Sequence, residues 1–174
     1  GTFIMGNTEE MMDYLTEQDS LSRNPHEVEL GNYYICKYEV TQNQWRAFLP
    51  KETEGKCIVN GEDKGNTAMD MLSWEDAKTF TDTLSAITGL SFSLPTEAQW
   101  EFAARGGNRS RGFIYSGSND FTKVGHHDFR NSVGSKQPNE LGIYDMSGLV
   151  REWCSDLWGQ YSSEDQTDPS GPDL

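Results

Sequence analysis

Hydrophobic and polar positions change period several times along the chain, and each change predicts an element. Thr2-Phe3-Ile4-Met5-Gly6 predicts a short strand that ends at the glycine. Polar and apolar residues alternate over 25–30, PHEVEL, which predicts a half-buried strand. After the Gly31-Asn32 turn, the β-branched and aromatic run 33–40, YYICKYEV, predicts a strand antiparallel to it. Residues 7–24 follow no convincing period and are expected to form an acidic loop.

The period then lengthens. Thr41 with Gln44 three residues on has the form of a capping box, with Val40 and Trp45 at hydrophobic-staple positions. A helix is predicted from Gln42 to about Leu49, stopping at Pro50, and residues 51–66 follow as an exposed charged loop. Ser73 with Asp76 opens a second helix, whose apolar stripe is Trp74, Ala77, Phe80, Leu84 and Ile87. Gly89 stands just past its end, where a left-handed residue is wanted. Residues 91–94, SFSL, predict a short strand, and Thr96 with Gln99 caps a third helix that closes at Gly106-Gly107. These stripes are read as core rather than as a cofactor surface. His126 and His127, adjacent in sequence, are expected as one exposed and one half-buried side chain rather than a shared metal site. The acidic, polar tail that follows Trp158 shows no core contribution.

Composition narrows the function classes. A chain of 174 residues is expected to form a single domain with a real core. Mean hydropathy is only −0.72, and the five Trp, seven Tyr and eight Phe partly compensate by burying large areas. A net charge of −14 argues against nucleic acid and anionic membrane surfaces and is compatible with cation binding. No apolar run approaches the roughly 18 residues of a membrane-spanning helix. Cys36, Cys57 and Cys154 leave at least one unpaired thiol and fit no zinc spacing. Cys36 and Cys57 could pair in an oxidising compartment, and Cys154 fits a small buried hydrophobe.

The densest candidate chemistry lies in residues 141–154, LGIYDMSGLVREWC. Asp145 and Glu152 supply carboxylates, and the Ser147-Gly148 bend frees backbone carbonyls. Hard oxygens of that kind suit Ca²⁺, which takes six to eight of them at flexible geometry. Two solvated acids beside a glycine turn would look the same in sequence.

The segments GTFIMG, PHEVEL, YYICKYEVTQNQW, LSWEDA, FSLPTEAQWEFAARGG and LGIYDMSGLVREWCSD occur in that order from Gly1 to about Trp158. In them the chain resembles the formylglycine-generating enzyme family, the sulfatase-modifying factors. The resemblance implies an α+β, C-type-lectin-like fold with short helices, small twisted antiparallel sheets and much irregular loop. It implies a secreted, periplasmic or endoplasmic-reticulum setting. It also implies a calcium site, with Asp145 and Glu152 as side-chain ligands and the carbonyls of Gly148 and Val150 as backbone ligands. A second calcium site of the family, near residues 125–137, is not carried over. Two residues depart from the family's GNVWEW pattern: Leu149 in place of the asparagine, and Arg151 in place of a large aromatic.

The family's enzymes use copper and O₂ to oxidise a cysteine in a CxPxR sulfatase motif. They place their cysteine pair beyond a segment like DPSGP, and none of Cys36, Cys57 or Cys154 matches it. The chain is therefore expected to lack the family's C-terminal segment and to be a catalytically incomplete domain that binds or scaffolds a protein or peptide around a structural calcium. The alternative is an oxidase whose cysteine pair lies beyond Leu174. A weaker reading is carbohydrate recognition by Tyr115, Trp158 and Tyr161 as exposed aromatics.

Overall fold

The computed structural model describes residues 1–6, 24–49 and 65–172. In chain order its elements are β1 (Thr2–Met5), β2 (His26–Glu29), α1 (Gln42–Phe48), α2 (Trp74–Thr88), α3 (Glu97–Ala104), a 3₁₀ turn (Gly107–Arg109), α4 (Phe121–Val124) and β3 (Gln166–Thr167). They fall into two units, one of Gly1–Ile35, Pro95–Ala103 and Cys154–Leu174, the other of Cys36–Leu94 and Ala104–Trp153.

In the first unit, β1 and β2 pair antiparallel with Phe3 opposite Val28. The ladder is closed at its end by reciprocal bonds between Gly1 and Leu30, at 2.6 and 2.7 Å. His26 and Val28 are buried while Glu27 and Glu29 face water. The inward face packs Met5, Val28 and Leu30 against Ala98 and Phe102 of α3. The Phe3 and Phe102 rings lie 5.3 Å apart.

The other edge of β2 goes to β3, in parallel register with Val28 opposite Gln166. Two sequence expectations fail here. The run 33–40 forms no strand, because both edges of β2 are already occupied by β1 and β3. Within it, Tyr33 instead donates its hydroxyl to the Gln99 carbonyl at 2.7 Å. The tail does contribute to the core: it supplies β3, Asp168 Oδ1 accepts the Gly31 N–H at 2.8 Å, and Tyr161 packs on the cluster.

In the second unit both predicted capping boxes are present. Thr41 and Gln44 bond reciprocally at the start of α1, and Ser73 and Asp76 do so at the start of α2. Gly89 closes α2 in the left-handed conformation, φ 72°. Trp45 and Phe80 stack at 4.8 Å with planes 8° apart, and Leu49 and Met69 complete the cluster. The α2 stripe is core only in part. Phe80 is buried and Leu84 packs beside it, but Ile87 is 63% exposed near the helix end. Residues 91–94 are not a strand; Phe92 folds back on Ser85, whose hydroxyl meets both its N–H and its carbonyl. In the first unit, at the start of α3, Thr96 and Gln99 likewise bond reciprocally, and Asp156 Oδ2 accepts the Glu97 N–H at 2.8 Å. Residues 7–23, 50–64 and 173–174 lie outside the described residues, and with them Cys57 and its pairing with Cys36.

Candidate cation site

All four positions singled out in sequence, Asp145, Gly148, Val150 and Glu152, lie on an irregular segment of the second unit whose turns are set by unusual backbone. Asp145, Gly148 and Leu149 have φ of 63°, 138° and 70°. Left-handed conformations suit Gly and Asn and cost a leucine strain. Leu149 adopts one while its side chain is buried and its N–H donates to the His126 carbonyl at 3.0 Å. Gly148 is forced by packing as well: a Cβ there would stand 2.4 Å from the His126 carbonyl oxygen.

Asp145 is 3% exposed. Its Oδ2 accepts the Gly134 N–H at 2.6 Å, but its Oδ1 is buried without a partner. The residue that sequence reasoning missed is Glu39. It sits in the run expected as a strand, is 9% exposed, and has both carboxylate oxygens buried without partners. The bond from the Tyr144 N–H to the Lys37 carbonyl, 3.0 Å, ties its segment to that of Asp145.

Burial pushes the Glu39 carboxyl up to about 9, and the negative charges of Glu152, Asp145 and Asp70 add to the rise. The Val150 amide works the other way, yet no hydrogen bond to it satisfies either oxygen. Glu152 itself is exposed and stands at the rim, and the neighbouring Arg151 is also exposed.

Orphaned buried carboxylate oxygens are costly unless a cation or proton satisfies them. The donor set therefore fits a hard divalent cation. Glu39 and Asp145 offer three buried oxygens, and the carbonyls of Gly148 and Val150 accept no hydrogen bond among the described residues. The fit is to calcium rather than to a nitrogen- or sulfur-liganded metal. Among the described residues no three His, Cys, Asp or Glu side chains form a ready metal cluster, so backbone carbonyls have to complete the shell.

Other sequence candidates fall elsewhere. His126 is half-buried and His127 exposed, as expected. Burial and Lys136 hold His126 below the usual imidazole range, and its Nε2 meets Ser135 Oγ at 2.8 Å. Trp158 is 87% exposed, and Tyr115 lies edge-on to Phe121. Tyr161 is not a surface aromatic. It is half-buried, bonded to Glu97 Oε1 at 2.6 Å and edge-on to His26. Cys36 is exposed and Cys154 half-buried. No helix among the described residues is long and apolar enough to cross a membrane.

Comparison with known proteins bears on the family and the fold. The chaperone protein LppX of Paenibacillus barcinonensis is 31% identical over 73% of this chain and 63% of its own length. The formylglycine-generating enzymes of Bos taurus and Thermomonospora curvata are 33% and 31% identical, over 58% and 74% of this chain but 30% and 46% of their own lengths. The chain thus spans less than two thirds of each of these relatives. Treponema denticola variable protein 1 superposes with a TM-score of 0.70 over 99% of this chain and 76% of its own, at 24% identity. The architecture is accordingly α+β and C-type-lectin-like. Residues 1–170 match the model of the sulfatase-modifying factor enzyme 1-like domain, and the chain belongs to that family.

Proposed function

We propose that this chain is a binding or scaffold domain of its family, built around a structural calcium and operating outside the cytosol. The observation that carries the calcium reading is the set of orphaned oxygens on Glu39 and Asp145. Glu39, Asp145 and Glu152, with the carbonyls of Gly148 and Val150, would hold the ion. Bound there, calcium would neutralise buried charge and fix the 145–152 turn; no redox chemistry is asked of it. Support for a binding role comes from a relative, 31% identical, that bears the name of a chaperone.

The second reading, a copper oxidase that converts a sulfatase cysteine to formylglycine with O₂, is favoured by the enzymes among the relatives. It needs two thiolates converging on a soft metal. The described cysteines, Cys36 and Cys154, belong one to each unit.

The test is thermal unfolding with calcium, with chelator, and with magnesium at equal ionic strength. At a hundred times the dissociation constant, a ligand bound only to the folded state adds about 2.7 kcal/mol, worth roughly 5–10 °C in a domain of this size. A calcium curve that coincides with the magnesium and chelator curves would defeat the calcium reading. Conversion of a CxPxR peptide in the presence of copper and O₂ would replace the scaffold reading with the oxidase.

A further inference from the structure

The family match leaves one charged surface of the second unit without a role. Residues 105–136 carry six basic side chains and two acids, a balance of +4 inside a chain of net charge −14. The two acids are already engaged, Asp120 with Lys123 and Asp128 with Arg130. Lys136 donates to the Thr122 carbonyl at 2.6 Å. Arg105 is half-buried and has a partner of its own. Arg109 and Arg111 remain. Both are exposed, and neither makes an ion pair among the described residues.

The loop that carries them is fixed from within. The Arg109 N–H donates to the Gly106 carbonyl at 3.0 Å, the Arg111 N–H to Glu140 Oε1 at 3.0 Å, and the Ile114 N–H to Asn119 Oδ1 at 2.9 Å. Glycine suits position 106 because its backbone is left-handed, φ 87°, and the same Glu140 carboxylate packs against it. The Arg111 guanidinium lies over the Phe113 ring at 4.8 Å, which steadies the side chain and leaves its N–H edge available. Backbone amides are committed to the loop, while the guanidiniums are not. Pre-organised donors bind at lower entropic cost than free ones.

We propose that the 106–114 loop is a docking site for an acidic protein segment, with Arg109 and Arg111 each taking one carboxylate. Ser110 between them is polyproline-like, φ −50° and ψ 135°, so the Cα atoms of the two arginines stand about 6 Å apart. That spacing suits acids at positions i and i+2 of an extended peptide, gripped by the bidentate fork that arginine offers a carboxylate. A short acidic segment fits better than a long polyanion such as nucleic acid or a sulfated glycan, which would run onto the acidic remainder of the molecule. The inference goes beyond the calcium reading and does not rest on it.

Fluorescence anisotropy of a labelled peptide of alternating Glu and Ser, titrated with the full chain at about 50 mM salt, tests it. Saturable binding is expected to weaken at least ten-fold in Arg109→Gln/Arg111→Gln and to stay within two-fold in Lys123→Gln/Lys136→Gln. Arg109→Lys/Arg111→Lys, which keeps the charge and loses the fork, is expected to weaken it by three- to five-fold. Absence of saturable binding by the unaltered chain overturns the proposal, as does equal weakening by the lysine pair. A heparin fragment that binds more tightly than the peptide through the same two arginines overturns the choice of partner.

Discussion

Glu39 concentrates the physics of the candidate site in one residue. Its carboxyl, normally half-ionised near pH 4.5, is raised to about 9 by burial and by Glu152, Asp145 and Asp70. A carboxyl raised on folding stabilises the fold fully below its unfolded value and loses that contribution as pH climbs to the folded one. Chelated protein is therefore expected to lose stability between about pH 4.5 and 9, by up to about 1.4 kcal/mol per pH unit. Calcium displaces the proton, so it should bind more tightly as pH rises and flatten that slope. In Glu39→Gln the chelated protein should keep its melting temperature at pH 8 or gain, while the calcium-induced rise shrinks. Urea unfolding across pH, with and without calcium, measures both, and a chelated slope of the opposite sign would be incompatible with a buried, proton-holding Glu39. Sequence pattern could not have found this residue. Asp145 and Glu152 stood out because a glycine turn lay beside them. Glu39 lay inside an aromatic and β-branched run, where a lone acid looks like the solvent face of a strand. Between Tyr38 and Val40 it carried no sign of burial.

At the scale of elements, what was legible depended on whether the signal was local. The starts of α1, α2 and α3 could be read because a capping box is complete within four residues, and all three boxes are present. Strands were different. Whether 33–40 pairs with β2 depends on which segment reaches that edge first, and β3 arrives from more than 120 residues away in sequence. The same non-locality hid the tail's contribution and left Ile87 looking like core, since its stripe continues past the contact with α1. The caps should carry measurable stability of their own. Thr41→Ala and Ser73→Ala are each expected to cost about 1 kcal/mol, seen as a lower urea midpoint at unchanged slope. The two boxes share no hydrogen bond, so the double variant should lose close to the sum of the two. A loss well short of the sum would mean that α1 and α2 unfold as a coupled pair before the rest.

Charge acts on the whole molecule, and it must be separated from any specific effect of calcium. Twenty-eight acidic side chains against fourteen basic ones repel one another in the folded state more than in the expanded one. Raising monovalent salt from about 10 to 150 mM shortens the screening length from roughly 30 to 8 Å. The chelated protein should therefore gain stability gradually over that range, without saturating at a defined stoichiometry. A structural calcium predicts something else: a rise in melting temperature that appears at low millimolar ion or below, saturates at one equivalent per chain, and persists at 150 mM salt, where general screening is nearly complete. Magnesium, which surrenders its water reluctantly and wants near-ideal octahedral geometry, should reproduce the screening and not the saturable rise. The same salt series also bears on the arginine loop, because exposed guanidiniums lose their grip on a peptide as screening grows, whereas a buried ion does not. Isothermal titration of calcium into the chelated chain at the two salt concentrations decides the matter. One site with an affinity that changes little between them supports an ion held by Glu39 and Asp145. Several weak sites that vanish at the higher salt would mean that calcium merely condenses on an acidic surface.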